Sequence, residues 1–216
     1  MIDEQTAKRK GSFWRELPIL LGVAILVAVL VRAFVLQTFY IPSPSMEHTL
    51  NVLDRVLVNK LVYDFRDPHR GEIIVFKAPD DWQSGAEGQD FIKRIIGTPG
   101  DHVVCCDAQE HLVVNGVSLE EPYIFRDADG NPDPAADRKF DIVVPKDRLW
   151  VMGDHRSASG DSLEHYEESN ENVQEATIPE DSVVGRAFTV FWPVSRAKWL
   201  SVPDGFDKIP DASAAK

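Results

Sequence analysis

Hydrophobic and polar positions divide the chain into one long apolar run and a series of short alternating stretches. From Leu17 to Leu36 the residues are apolar apart from Arg32, and about 20 such residues is the length a helix needs to cross a hydrocarbon core. Arg32 lies near the far end, where its long stem can snorkel to the headgroups. Phe39 and Tyr40 follow where interfacial aromatics gather. The basic residues Lys8, Arg9, Lys10 and Arg15 precede the run, which predicts a cytoplasmic N-terminus and an exported remainder. The run is long for the core of a cleavable leader and no Ala-x-Ala follows it, so it reads as a retained anchor.

Past Leu50 the period shortens to two. Arg55, Leu57, Asn59 and Leu61 alternate with Val56, Val58, Lys60 and Val62, the pattern of a half-buried strand. Glu72–Phe76, Phe91–Ile96, Leu149–Met152 and Val183–Trp192 read as further strands. Gly97-Thr98-Pro99-Gly100 is a turn, and Asn115-Gly116 between the apolar residues of Leu112–Leu119 marks a hairpin. Two long polar stretches, Arg126–Lys139 and His155–Glu175, are of a length usually reserved for functional or mobile loops. The expected fold is mostly β, a domain of antiparallel sheets behind a single N-terminal transmembrane α-helix. Its parts are a cytoplasmic segment 1–16, the helix 17–36, a β-rich extracytoplasmic domain 37–200 with an inserted subdomain at about 102–148, and a tail 201–216.

Composition changes this picture little. With 216 residues, 9% aromatic and 44% apolar, one domain with a sizeable core is expected beyond the anchor. Of the 23 Lys and Arg, five precede Gln37, as do three of the 35 Asp and Glu, which leaves a net charge of −14 from Gln37 onward. An acidic domain of this kind repels nucleic acid and keeps itself soluble. Cys105 and Cys106 are the only cysteines and are adjacent, so no disulfide framework is implied. Three states remain open to them: free, joined to each other, or joined to another chain.

Two stretches carry candidate chemistry. Ile41-Pro42-Ser43-Pro44-Ser45-Met46-Glu47-His48-Thr49-Leu50 has two prolines that fix φ and remove backbone donors, so it is a stiff, extended loop. Such a loop suits a nucleophile, although a proline-rich linker would read the same way. In Phe91-Ile92-Lys93-Arg94-Ile95-Ile96, Lys93 shares a strand face with Phe91 and Ile95. Partial desolvation there would lower its pKa and leave neutral amine to act as a base. An edge-strand lysine that discourages aggregation is the plainer alternative.

Taken together, these blocks resemble the bacterial signal peptidase I (leader peptidase) family over roughly 37–200. Ile41–Leu50 resembles its nucleophile box and Asp54–Lys60 the strand after it. Phe91–Asp101, FIKRIIGTPGD, resembles its lysine box, and Val151–Ser162, VMGDHRSASGDS, its last box. The resemblance implies a membrane-bound serine endopeptidase that removes signal peptides from exported preproteins, with Ser45 as nucleophile and Lys93 as general base. It further implies an oxyanion hole from the Ser43 hydroxyl and the Ser45 N–H, a Ser159 hydroxyl that orients the lysine amine, and Asp154, Arg156 and Asp161 as supports of the last loop. Phe39, Ile41, Met46, Leu50 and Ile92 would line shallow apolar pockets for small residues at −1 and −3 of the substrate. No cofactor is implied. The expected partners are exported preproteins, the bilayer of the plasma membrane and, less directly, the protein export machinery.

Some positions depart from the family pattern. Pro44 stands where Gly is frequent, His48 where Pro is usual and His155 where Asn is usual, and Leu163 replaces an Arg that pairs with the acid at Asp161. Arg156 is the candidate substitute for that partner. Rival chemistries are weaker. No Gly-x-Ser-x-Gly elbow accompanies the six histidines, Ser195-Arg-Ala-Lys198 lacks the companion motifs of penicillin-binding enzymes, and no His-Glu-x-x-His or Cys-x-x-Cys offers a metal site. The alternative to an enzyme is a membrane-tethered β-domain that binds a partner without catalysis.

Overall fold

The structure, a computed structural model, describes residues 13–82 and 89–212. Lys8, Arg9 and Lys10 lie outside the described residues. Helix α1 (Phe13–Phe34) opens the chain. The strands are β1 (Leu36–Tyr40), β2 (Arg55–Asn59), β3 (Ile73–Lys77), β4 (Asp90–Gly97), β5 (His102–Cys105), β6 (Leu112–Val114), β7 (Val117–Ser118), β8 (Phe140–Val143), β9 (Arg148–Met152), β10 (Ile178–Pro179), β11 (Val183–Trp192) and β12 (Lys198–Trp199). Two short helices, α2 (Ser162–Glu168) and α3 (Val173–Ala176), lie between β9 and β10.

Every described strand pair is antiparallel, and the protein is mostly β. Among the described residues the larger sheet runs β1-β2-β11-β3-β4-β9-β10, with β12 on β11, and a second sheet runs β7-β6-β5-β8. β3 is apolar at successive positions because it is central and covered on both faces. Ile73 and Val75 join a cluster with Ile41, Met46, Leu50 and Val56, whereas Ile74 and Phe76 join one with Trp82, Ile95 and Val151. The second sheet packs its own apolar face, Val103, Leu112, Val114 and Phe140, against Ile96, Trp150 and Met152 of the first.

The strand expectations at 55–62, 72–76, 91–96, 149–152 and 183–192 correspond to β2, β3, β4, β9 and β11 within a few residues. At Asn115-Gly116 both residues have positive φ, 51° and 81°, as a type I′ hairpin between β6 and β7 requires. The polar stretch after His155 is not a plain loop. Asp161 caps α2 by accepting from the Leu163 amide, and Asn172 caps α3 through Gln174. These helices are too short and too polar to show a 3.6-residue period.

The apolar N-terminal run also ends earlier than expected. The helix stops at Phe34, and Leu36 instead enters β1 opposite Asn59. Leu17, Ile19, Leu20, Leu21, Ile25 and Leu26 are exposed on α1. Among the described residues no helix is long and apolar enough to cross a membrane. Cys105, at the end of β5, is joined to Cys106 by a disulfide, which selects one of the three states left open by the sequence.

Candidate active site

The segment after β1 is a closed turn. Ile41 donates its amide to the Asp54 carbonyl at 2.9 Å and accepts from Leu53 at 2.9 Å, so the loop's two ends are tied together. Asp54, fully buried, holds the far end by accepting from the Asn51 amide at 2.8 Å and from Arg196 at 2.9 Å. Within the turn Glu47 donates to Pro44 and Leu50 to Met46. Ser45 is buried, and its Oγ lies 3.4 Å from the Ser43 Oγ.

Lys93 is carried by β4 between β3 and β9, facing Ile74 across one ladder. It is 4% exposed, and its Nζ lies 5.9 Å from the centroid of the Phe91 ring. Burial pushes its pKa down to about 8, against the opposing pull of the carboxylates of Asp161, Glu164 and Asp154. A large share of neutral amine is therefore present at mildly alkaline pH.

The loop after β9 packs against the serine turn, and its Asp154 and Asp161 act electrostatically on the Lys93 amine. The register Arg94↔Met152 and Ile95↔Val151 brings β4 alongside the strand that runs into this loop. A Cβ on Gly153 would stand 2.3 Å from Ser159 Oγ and 2.4 Å from the Ser45 carbonyl oxygen; only glycine lets both approach. His155 donates its amide to that same carbonyl at 3.1 Å. Asp161 accepts from the Gly153 amide at 2.9 Å and from Leu163 at 3.0 Å, and Asp154 pairs with Arg94 at 2.6 Å with both side chains buried. A cleft of about 360 Å³, lined among others by Met152, Arg156, Ser159, Asp161 and Glu164, opens beside this loop.

The structure corrects several details. Asp161 does not take Arg156 as the substitute for a missing arginine: its oxygens are engaged by backbone amides, and Arg156 pairs instead with Glu121. The Ser159 hydroxyl packs close against Gly153 and is buried without a hydrogen-bond partner, so the bond to the Lys93 amine that the resemblance implied is not formed here. Ile41, Met46 and Leu50 are at most 1% exposed and belong to the core. Of the expected pocket residues only Phe39 and Ile92 lie at its edge, partly exposed.

Arg94, Glu121 and Tyr123 escaped the sequence reading. Alternation along β4 did place Arg94 on the face opposite Lys93, and a charge inside an apolar strand is a signal of a buried partner. Glu121 and Tyr123 come from a turn distant in sequence, and nothing local marks them.

A buried lysine with a lowered pKa and a serine held in a stiff turn are residue types that a serine hydrolase without a histidine base uses. The family model described as signal peptidase, peptidase S26, matches residues 14–192. The chain belongs to that family and is a peptidase. A probable signal peptidase I-2 of Synechocystis sp. is 39% identical over 204 residues, covering 93% of this chain and 85% of the relative. The signal peptidase I of Leptolyngbya laminosa is 36% identical over 188 residues, covering 86% and 83%. A probable signal peptidase I of Mycobacterium leprae is 32% identical over 231 residues, covering 88% and 79%. A solved signal peptidase I from Enterococcus faecalis V583 superposes with a TM-score of 0.40 at 27% identity, covering 56% of this chain and 97% of that one.

Proposed function

We propose that this peptidase cleaves signal peptides from exported preproteins, with Ser45 as nucleophile and Lys93 as general base. The observation that carries the reading is the lysine, buried and held near pKa 8 by desolvation on the strand that pairs with β9, whose following loop packs against Ser45. Neutral Lys93 takes the Ser45 Oγ proton as Oγ attacks the scissile carbonyl carbon. The oxyanion that forms is met by the Ser43 hydroxyl and the Ser45 N–H. Protonated Lys93 then passes its proton to the leaving amine, and the C–N bond breaks to give an acyl-enzyme. Lys93 takes a proton from a water as that water attacks the ester carbon, and protonated Lys93 then gives the proton to Ser45 Oγ as the ester C–O bond breaks, releasing the acid and the free serine. In this reading the Ser159 hydroxyl, buried without a partner, accepts from the ammonium once it forms, with Asp161, Asp154 and Arg156 holding the loop.

The apolar stretch from Leu17 to the end of α1 at Phe34 anchors the enzyme in the plasma membrane, N-terminus inside, β-domain outside. The basic residues before it and the exposed leucines and isoleucines of α1 support this. Phe39 and Ile92, partly exposed beside the core cluster of Ile41, Met46 and Leu50, offer an apolar edge to the substrate, which in this reading favours small residues at −1 and −3 and disfavours charge. The test is to incubate the full chain in detergent with a preprotein and sequence the product's N-terminus. Cleavage after the −1 residue, lost in Ser45→Ala and Lys93→Arg and lost with Asp at −1, is expected. An intact preprotein would leave a binding module as the better reading.

A further inference from the structure

Building on that reading, we propose that Glu121 and Tyr123, in the turn that leaves β7, are positioning residues for the Ser45 site, clamping the nucleophile turn, β4 and the loop after β9 to one another. Neither residue is part of the four motif blocks, and neither is implied by the mechanism above.

Glu121 and Arg156 form an ion pair whose side chains are 4% and 2% exposed. The Glu121 carboxylate accepts from Arg156 Nη2, from Arg156 Nη1 at 3.3 Å and from the Tyr123 hydroxyl at 2.6 Å. Arg156 in turn donates from Nε to the Gly153 carbonyl at 2.8 Å and from Nη1 to the Ala135 carbonyl. The first of these bonds sets the peptide of the residue against which the Ser45 carbonyl and the Ser159 hydroxyl pack.

Tyr123 closes the other two sides. Its ring receives the Arg94 guanidinium 4.0 Å from the centroid, and Arg94 is the neighbour of Lys93 and the partner of Asp154. The Tyr123 carbonyl faces His48 Nδ1 at 3.1 Å, three residues after Ser45 on the nucleophile turn. Burial, reinforced by the Glu121 carboxylate, keeps the tyrosine hydroxyl protonated, so it remains a donor wherever the enzyme works.

Both residues thus touch the neighbours of the reacting groups, never the groups themselves. A clamp of this kind acts on the alignment of Ser45 with Lys93, which is expressed in kcat, more than on substrate binding. The same contacts would serve stability alone if the site tolerated misalignment, and the kinetic split separates the two cases.

The experiment uses full-length enzyme in detergent and a preprotein substrate, with a thermal melt on each variant. Glu121→Gln is expected to lower kcat by about 10- to 100-fold while KM stays within about twofold and the alkaline pH limb keeps its midpoint. Tyr123→Phe, which removes one hydroxyl and no charge, is expected to lower kcat several-fold in a protein that melts as wild type. Combined with Glu121→Gln it should add little, because the two act through one bond. A folded Glu121→Gln with wild-type kcat, or a loss carried wholly by KM, overturns the proposal. If Glu121→Gln does not fold, wild-type kcat in Tyr123→Phe overturns it. Ser45→Ala is run alongside: an active Ser45→Ala removes the catalytic reading and the clamp together, whereas an inactive Ser45→Ala with wild-type Glu121→Gln removes the clamp alone.

Discussion

The backbone carbonyl of Ser45 accepts a hydrogen bond from the amide of His155 at 3.1 Å. That single bond joins the turn that follows β1 to a loop over 100 residues later, and it holds the serine by its backbone and not through its hydroxyl. Replacing the usual asparagine by histidine at 155 does not disturb it, because the donor is the main chain.

Activity should rise with pH along a limb centred near 8. Lys93 is useful only when neutral, and burial lowers its pKa to about 8, so the active fraction grows as pH passes through that value. Lys93→Arg, which cannot lose its proton, should be as inactive as Lys93→Ala. Rates on a preprotein between pH 6 and pH 10 check this; retention of a tenth of wild-type turnover by folded Lys93→Arg would refute it.

The same lysine should weaken the fold at neutral pH. Its folded-state value, about 8, lies below the unfolded value of 10.5, so the unfolded chain binds more protons and stability rises with pH between the two. Below 8 the full cost is present, about 3 kcal/mol. Lys93→Met should therefore be more stable than wild type at pH 7 by up to about that amount, and the difference should shrink towards pH 10.5. Urea unfolding at both pH values measures it.

Asp161→Asn should move the alkaline limb to lower pH. The Asp161 carboxylate favours the protonated amine of Lys93, and its removal makes the proton easier to lose. Asp161→Ala should also cost about 1 kcal/mol of stability through the lost cap of α2. An unmoved limb in Asp161→Asn would show that the carboxylate is not felt at Lys93.

Gly153→Ala should lose activity by at least about 100-fold. Its methyl would stand 2.3 Å from Ser159 Oγ and 2.4 Å from the Ser45 carbonyl, so one or both must shift. Near-normal turnover in this variant would mean that the loop yields without disturbing Ser45.

Breaking the buried Arg94–Asp154 pair should destabilise by about 3–5 kcal/mol, since either single neutralisation leaves the other charge buried and unpaired. Asp154→Asn and Arg94→Met, compared by denaturant unfolding, test this; a loss below 1 kcal/mol in both would show that water reaches the pair.

Local rules made much of this protein legible in one dimension. Alternation specified β2 and β4, Asn115-Gly116 specified its hairpin, and the prolines around Ser43 and Ser45 specified a stiff loop, expected to be extended where the structure closes it into a turn, because each depends on φ preferences or a two-residue period within a few positions. The placing of Lys93 beside Phe91 on one strand face follows from the same period. Only tertiary structure decided that Asp161 would serve backbone amides and Arg156 would turn to Glu121, that the Ser159 hydroxyl would be buried without a partner, and that Ile41, Met46 and Leu50 would sink into the core. These outcomes depend on which strands pair and on how two sheets pack over Trp150. Burial and ion pairing are properties of that packing, and residues such as Glu121 and Arg156, far apart along the chain, acquire their meaning only when the sheets bring them within hydrogen-bond reach.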